Sequence, residues 1–496
     1  MAKSSNQANS RYLEVERKFE VVESTVSPSF EGLSSVSRVE RSASQQLDAV
    51  YFDTPGHDLA AHHVTLRRRT GGTDAGWHLK LPAGPDARTE VRAPLGNETD
   101  AVPEDLLDVV LAIVRDRPIG PVARIATSRT VDMLYGPDGV ALAEFCDDQV
   151  TAQAGADGEE QRWREWELEL AEGADRDLLD RLGNRLLDAG AVPAGHGSKL
   201  ARVLEGEDAG GPDAVEPPAD PVHRAVAEQV EQLLVWDRAV RADAYDSVHQ
   251  MRVTTRKIRS LLQASEGAFG ISKDAWILDE LRQLAAVLGV ARDAEVLAER
   301  YERALGELPE ELVRGPVQER LVDGAKKHYS AGLRRSLIAM RSQRYFRLLD
   351  ALEDLVAAEP PPTQPGEEAA QLTIDAAYRR VRKAAKAAAQ AADAEKDEAL
   401  HRIRKGAKRL RYTAAATGEG RVSERAKTIQ TLLGDHQDSV VSRTHLSHQA
   451  EAARAAGEDT FTYGLLYQME DDLAQRSREQ LDNALKKLDR SVRKAH

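Results

Sequence analysis

Charged residues recur at alternate positions along a series of short strand-like runs in the first 205 residues, and this limits what that part of the chain can fold into. In Leu13-Glu-Val-Glu-Arg-Lys-Phe19, Glu14, Glu16 and Lys18 stand at i, i+2 and i+4, the period of a β-strand, so all three share a face. Val15 and the apolar stem of Arg17 cover the other face, and Phe19 is expected on the polar one. Taken alone, the run also suits a half-exposed surface strand. The pattern repeats, however, in Arg67 with Arg69, His78 with Lys80, Glu90 with Arg92, and Glu167 with Glu169. Gly, Pro and Asp bound candidate strands at 12–21, 46–53, 64–70, 76–81, 89–94, 125–135, 140–148 and 162–170, with helices at 100–115 and 174–187. Many antiparallel strands with both faces demanding partners point to a closed barrel. Charged lining faces cannot form an apolar core, and buried charges persist only beside opposite charges, metal or an anionic ligand. A polar tunnel follows, suited to a polyanion with divalent cations.

The pattern then changes. Residues 206–220 read as an acidic Gly/Pro-rich linker with little to bury. Beyond it come long helical segments at 225–236, 247–267, 275–288, 293–305, 373–392, 397–416, 423–433, 435–456 and 461–488, with a Pro/Gly/Glu stretch at 359–368. The two helical halves, about 221–358 and 370–490, look duplicated. Each carries a His-led basic run, at 248–259 and 400–411, and later a Leu-Gly element, Leu288-Gly-Val-Ala-Arg-Asp293 and Leu433-Gly-Asp-His-Gln-Asp438. On helices, His249, Arg252, Arg256 and Arg259 form one stripe, and His401, Arg404, Lys408 and Arg411 repeat its spacing. Without a nearby Cys or second His, neither histidine reads as a metal ligand.

The chain of 496 residues is too long for a single core, so a multidomain α+β protein is expected. The one cysteine, Cys146, excludes an internal disulfide framework and fits a reducing interior. The N-terminal residues show no apolar signal segment, and no run of about eighteen apolar residues occurs, so a cytoplasmic location without membrane partners is expected. A net charge of −14 argues against a generally basic nucleic-acid binder, although the arginines are locally concentrated.

Glu14-Val-Glu-Arg-Lys18 resembles the Glu-x-Glu-x-Lys signature of the CYTH superfamily, the triphosphate tunnel metalloenzymes. The order continues through Tyr51-Phe-Asp-Thr54, Leu66-Arg-Arg-Arg69, Trp77-His-Leu-Lys80, Glu90-Val-Arg92, Arg129, Glu144-Phe-Cys-Asp-Asp148, Trp166-Glu-Leu-Glu169 and Ser198-Lys199. The resemblance spans about 10–205. It implies an eight-stranded antiparallel β-barrel around a hydrophilic tunnel, with flanking helices, and Mg²⁺- or Mn²⁺-dependent hydrolysis of a triphosphate. It places Lys18, Arg67, Arg69, Lys80, Arg92, Arg129 and Lys199 on phosphate oxygens, and Glu14, Glu16, Glu144, Glu167 and Glu169 on metal. Glu14, Glu16 and Lys18 would be central to catalysis, with the general base unassigned. Asp147 is a weaker pick because its spacing from Glu144 puts the two on opposite faces without a bulge.

The region 221–490 resembles the CHAD domain, an all-α duplicated helical bundle often found after a CYTH domain. Its two His-led motifs match, as do Arg292-Asp293 and Asp435-His-Gln-Asp438, although the second lacks the Arg-Asp pair. This implies polyphosphate binding through His249, Arg252, Arg256, Arg259, His401, Arg404, Lys408 and Arg411. The expected protein is an inorganic triphosphatase or polyphosphatase joined to a polyphosphate-binding module able to associate with polyphosphate granules, without sequence-specific nucleic acid. A non-catalytic polyphosphate scaffold and a nucleotide cyclase or thiamine-triphosphatase-like enzyme are the alternatives. No aromatic pocket for a base or thiazole can be read, which favours an inorganic chain.

Overall fold

The computed structural model describes residues 10–96, 101–205, 220–264, 269–272, 275–358, 374–416 and 418–494. The expected linker, apart from Asp220, and the stretch 359–368 lie outside the described residues. Backbone contacts divide the chain into two compact units, 1–283 with 337–359, and 284–336 with 360–496. No described helix is long and apolar enough to cross a membrane.

The first unit begins with β1 (Ser10–Val21), β2 (Arg38–Arg41), β3 (Gln45–Asp53), α1 (Asp58–Ala61), β4 (Thr65–Thr70), β5 (Gly76–Pro82) and β6 (Ala87–Ala93). It continues through α2 (Glu104–Val114), β7 (Gly120–Tyr135), β8 (Ala141–Ala154), β9 (Glu160–Leu170), α3 (Asp177–Asp188), β10 (Val192–Pro193) and α4 (Lys199–Glu205). The antiparallel order β1-β6-β5-β4-β3-β7-β8-β9 returns from β9 to β1, closing an eight-stranded barrel. Closure leaves those strands no free edge. Short β2 pairs with β7 beyond the reach of β3, and β10 adds two residues beside β1.

Alternation sorts the two faces. The outward side chains Phe19, Phe145, Trp166 and Leu168 pack under α3 through Leu178, Leu179, Leu182 and Leu186. Phe52, Leu66, Trp77, Leu79 and Val91 pack with α2 through Leu106, Val110 and Ile113. Phe19, expected on the polar face, is 1% exposed in this outer core beside Val15. Strand parity is the reason, because residues 15, 17 and 19 share the face opposite 14, 16 and 18.

The same unit includes α5 (Pro221–Arg241), α6 (Ser247–Ala264), the start of α7 (Trp276–Gly306) and α9 (Gln343–Ala357). Asp220 caps α5 by accepting from the amides of Val222 and His223, with Pro221 at the first helical position. Charge ties these helices to the barrel's flank. The Arg115 guanidinium, 2% exposed, pairs with Asp350 and Glu353 of α9, while Arg117 lies 2.8 Å from Asp350 and 2.9 Å from Asp58. Arg241 of α5 reaches Asp108 of α2 at 3.0 Å and Asp237 at 2.6 Å.

The second unit holds the rest of α7, a π-helical turn at Gln318–Asp323, most of α8 (Gly324–Ala339), α10 (Ile374–Gln390), α11 (Asp393–Ala416), α12 (Gly420–Ala455) and α13 (Phe461–Lys494). Helices expected as separate pieces at 275–288 and 293–305 are one, α7, and those at 423–433 and 435–456 are one, α12. An internal glycine costs a helix only about 1 kcal/mol, which packing along its length readily offsets. At Gly434 a Cβ would stand 3.3 Å from the Arg404 guanidinium, so the small residue lets α11 bring its arginine close to α12.

Candidate functional site

Inside the barrel lies a cavity of about 580 Å³. All twelve tunnel residues picked from sequence line it: Glu14, Glu16, Lys18, Arg67, Arg69, Lys80, Arg92, Arg129, Glu144, Glu167, Glu169 and Lys199. Asp147 does not. It faces outward, where Arg164 and Ser27 hold its carboxylate at 2.6 and 2.7 Å. Asp148 shares the inward face with Glu144, as spacing by even numbers requires.

The lining is segregated by sign. The contiguous strands β8, β9 and β1 carry the acids, with Glu144 paired across to Glu169 and Glu169 across to Glu16. Lys80 lies 2.5 Å from Glu14 and Lys18 lies 2.6 Å from Glu16. Burial opposes ionisation of Glu16, but Lys18 and Lys80 outweigh it and lower its carboxyl to about 2. Glu169 has no such compensation. Burial, reinforced by Glu14, Glu16 and Glu144 against a smaller effect of Lys80, pushes it up to about 7.

The opposite lining carries Arg67 and Arg69 on β4, while Arg129 stands on β7 next to β8. Arg67 donates to the Tyr51 hydroxyl at 3.2 Å and Arg69 pairs with Asp74. Their Nε–H groups are buried without a hydrogen-bond partner. Burial first, then repulsion from Arg67 and Arg129, lowers Arg69 to about 9. An arginine perturbed this far marks a cluster short of negative charge.

Between these walls, charges are already matched. Asp148, Glu165 and Glu167 bring carboxylate oxygens within 4.8 Å of one another, a grouping that could hold a cation. Lys199 fills it, with its ammonium 2.9 Å from Asp148 and 2.7 Å from both Glu165 and Glu167. Arg129 pairs with Asp148 at 2.6 Å and with Glu167. Although burial opposes it, Lys199, Lys18 and Arg129 hold the Glu167 carboxyl well below the usual range.

Several lining residues were missed from sequence. Arg88 stands two before Glu90 on β6, and parity alone would have selected it; parity would also have flagged Glu165, which meets Lys199 rather than the cavity. Glu40 and Arg41 lie on β2, whose four residues give too short a run to show alternation. His78 lies outside the cavity lining, with Nδ1 2.8 Å from Glu90 and Nε2 2.9 Å from the Asp74 carbonyl.

The helical stripes are described unit by unit. On α6, Arg256 is exposed, and His249, Arg252 and Arg259 are half-buried. On α11, His401, Arg404, Lys408 and Arg411 are all half-buried, whereas Arg402, Lys405 and Arg409 are exposed. Arg404 and Arg300 act on Asp435 and Asp438, whose carboxyls burial nevertheless raises. Arg300 in turn holds Glu470 at 2.5 Å and Ser439 at 2.8 Å.

Family comparison agrees with this two-part layout, since the CYTH domain model matches residues 13–192 and the CHAD domain model matches residues 224–447. The chain is a CYTH–CHAD protein. Uncharacterized proteins of two Mycobacterium tuberculosis strains are 70% identical to this CYTH–CHAD chain over 503 residues, covering 98% of each. Among solved structures, PptA from Streptomyces chartreusis is similar at 20% identity with a TM-score of 0.45, covering 55% of this chain and all of its own. The CHAD domain of the plant Ricinus communis is similar at 21% identity and a TM-score of 0.41, over 54% of this chain and 90% of its own.

Proposed function

We propose that the CYTH barrel hydrolyses the terminal phosphoanhydride of inorganic triphosphate or a short polyphosphate with Mg²⁺ or Mn²⁺, and that the CHAD region binds polyphosphate. The carrying observation is the segregation of charge inside one cavity, with Arg69 lowered to about 9 on one wall and Glu169 raised to about 7 on the other. On each wall part of the charge stays uncompensated, Glu169 on one and the buried Nε–H groups of Arg67 and Arg69 on the other. A triphosphate offers the anion, a divalent cation offers the positive charge, and the two also neutralise each other where they meet.

Glu14, Glu16, Glu144 and Glu169 would hold the metal as hard oxygen donors on adjoining strands, Glu14 and Glu16 exchanging Lys80 and Lys18 for it. When bound, the metal supplies Lewis-acid charge at the phosphoryl oxygens. Glu167, also expected on the metal, pairs in the metal-free chain with Lys199 and Arg129. Arg67 and Arg69 direct their unpartnered Nε–H groups to phosphate oxygens, and Arg92, Lys18 and Lys80 hold the remainder of the chain. Water attacks the terminal phosphorus in line, the P–O anhydride bond breaks, and its electron pair leaves on pyrophosphate or the shortened chain, whose growing charge the arginines offset; the water's protons end on the product phosphates or in solvent.

The test measures phosphate and pyrophosphate release from tripolyphosphate, long polyphosphate, ATP and thiamine triphosphate, with and without Mg²⁺ or Mn²⁺. Metal-dependent phosphate release from tripolyphosphate is expected. Cyclic nucleotide plus pyrophosphate from ATP would assign a cyclase, and tight polyphosphate binding without turnover would assign a scaffold.

A further inference from the structure

A second cavity, of about 630 Å³, adjoins the first, and both are lined by Glu16, Lys18, Arg88 and Gly197. Arg88 occupies this junction as a strap. One guanidinium nitrogen donates to the His63 carbonyl at 3.1 Å, the other to the Gly197 carbonyl at 2.8 Å, and Nε lies 3.7 Å from Glu16. The side chain therefore joins β6 to the turn before β4 and to the loop before α4, across the opening. Packing is close here, since a Cβ on Gly197 would lie 3.3 Å from the Arg88 guanidinium.

The strap's chemistry makes it releasable. Its two hydrogen-bonded acceptors are neutral carbonyls, which water can satisfy when the guanidinium leaves, and Glu16 keeps Lys18 at 2.6 Å. A phosphate chain arriving from the first cavity offers Arg88 a charged acceptor, which it binds more strongly than a carbonyl. Beyond the strap the second cavity is lined by His63, His196, Gly84 and Gly195, and by Arg17, which pairs with Asp86 at 2.7 Å.

We infer that Arg88 is a chain-length gate: strapped, it confines substrate to a short phosphate chain in the first cavity, and a longer chain enters the second only by displacing it. This rests on the phosphate-chain reading above and names which chains that site accepts.

Two measurements on the full chain test it. In the first, kcat/KM for tripolyphosphate and for a long polyphosphate is compared in wild type, Arg88→Ala and Arg88→Lys. The long-to-short ratio is expected to rise about tenfold in R88A and less in R88K, which keeps the charge but loses the planar fork that spans the two carbonyls. Comparing ratios cancels the contribution of polyphosphate held by the CHAD region. In the second, His196→Cys places a thiol in the second cavity; the native Cys146 is 2% exposed and contributes little background. Its alkylation rate is followed without metal, so turnover plays no part. Long polyphosphate is expected to protect this thiol at lower concentration when R88A is added, and tripolyphosphate is expected not to protect it in either background. Protection by tripolyphosphate with Arg88 intact, or protection indifferent to R88A in folded protein, overturns the gate. Absence of hydrolysis of every phosphate chain by wild type overturns the proposed function instead, and the labelling still decides the gate.

Discussion

Glu169 is the residue where charge and stability conflict most openly. Its carboxyl is pushed up to about 7 by burial and by three neighbouring glutamates, against an ordinary 4.5. The unfolded chain releases this proton near 4.5 and the fold resists release until about 7, so the penalty is absent below 4.5 and grows as pH rises through that window. A shift of this size corresponds to roughly 3 kcal/mol against the metal-free fold at pH 8. Glu169→Gln is therefore expected to raise the thermal unfolding temperature of metal-free protein at pH 8, to change it little at pH 5, and to lose the advantage when Mn²⁺ is added. Calorimetry at the two pH values checks this. Glu14→Gln with Glu16→Gln should abolish metal-dependent hydrolysis with the far-ultraviolet circular dichroism intact; equal turnover in the double variant across metal concentrations would remove the metal from these residues. The inward glutamates were legible in sequence because parity alone assigns them a face. Lys199 was legible as a cation, but its capture by Asp148, Glu165 and Glu167 was not, since it requires β8 to pair with β9 and the start of α4 to come against both.

At the scale of elements, alternation was a reliable guide to strands, and glycine was a poor guide to helix ends. Gly434 sits within 36 residues of continuous helix because it makes room for Arg404, a tertiary reason that periodicity does not contain. The α6 stripe carries part of the polyphosphate binding proposed above. Arg252→Ala, Arg256→Ala and Arg259→Ala together are expected to weaken binding of long polyphosphate severalfold, with a smaller dependence of affinity on salt, as fewer counterions are released. Titration calorimetry at two salt concentrations reads both quantities; unchanged affinity in a folded variant would leave these arginines as helix-pairing groups. A different role belongs to Arg115 between α2 and α9. Arg115→Ala should destabilise the first unit by about 2 kcal/mol, less than for a fully buried pair because Asp350 and Glu353 keep part of their water. Denaturant unfolding followed by tryptophan fluorescence measures it, and a change within 0.5 kcal/mol, about that of a neutral surface substitution, would show the contact to be incidental.

For the whole molecule, the compact units do not follow the division between barrel and helices, because α5, α6 and α9 belong with the barrel. A fragment ending near residue 205 keeps every residue that lines the cavity, so it is expected to retain tripolyphosphate hydrolysis while losing much of its affinity for long polyphosphate. It also uncovers Arg115, Arg117 and Asp108, so it should melt several degrees below the barrel transition of the full chain. Scanning calorimetry and phosphate release on the two proteins check both halves of that expectation. The sequence by itself determined the barrel, its inward face and the chemistry of that face, because strand parity and the cost of burying charge are local rules that act residue by residue. Which charges remain unmatched, where Arg88 straps the cavity and which helices share a unit with the barrel were decided by tertiary structure alone. Those depend on distances between segments far apart in the chain, and a few ångströms decide whether a buried arginine meets a carboxylate or is left to attract a phosphate.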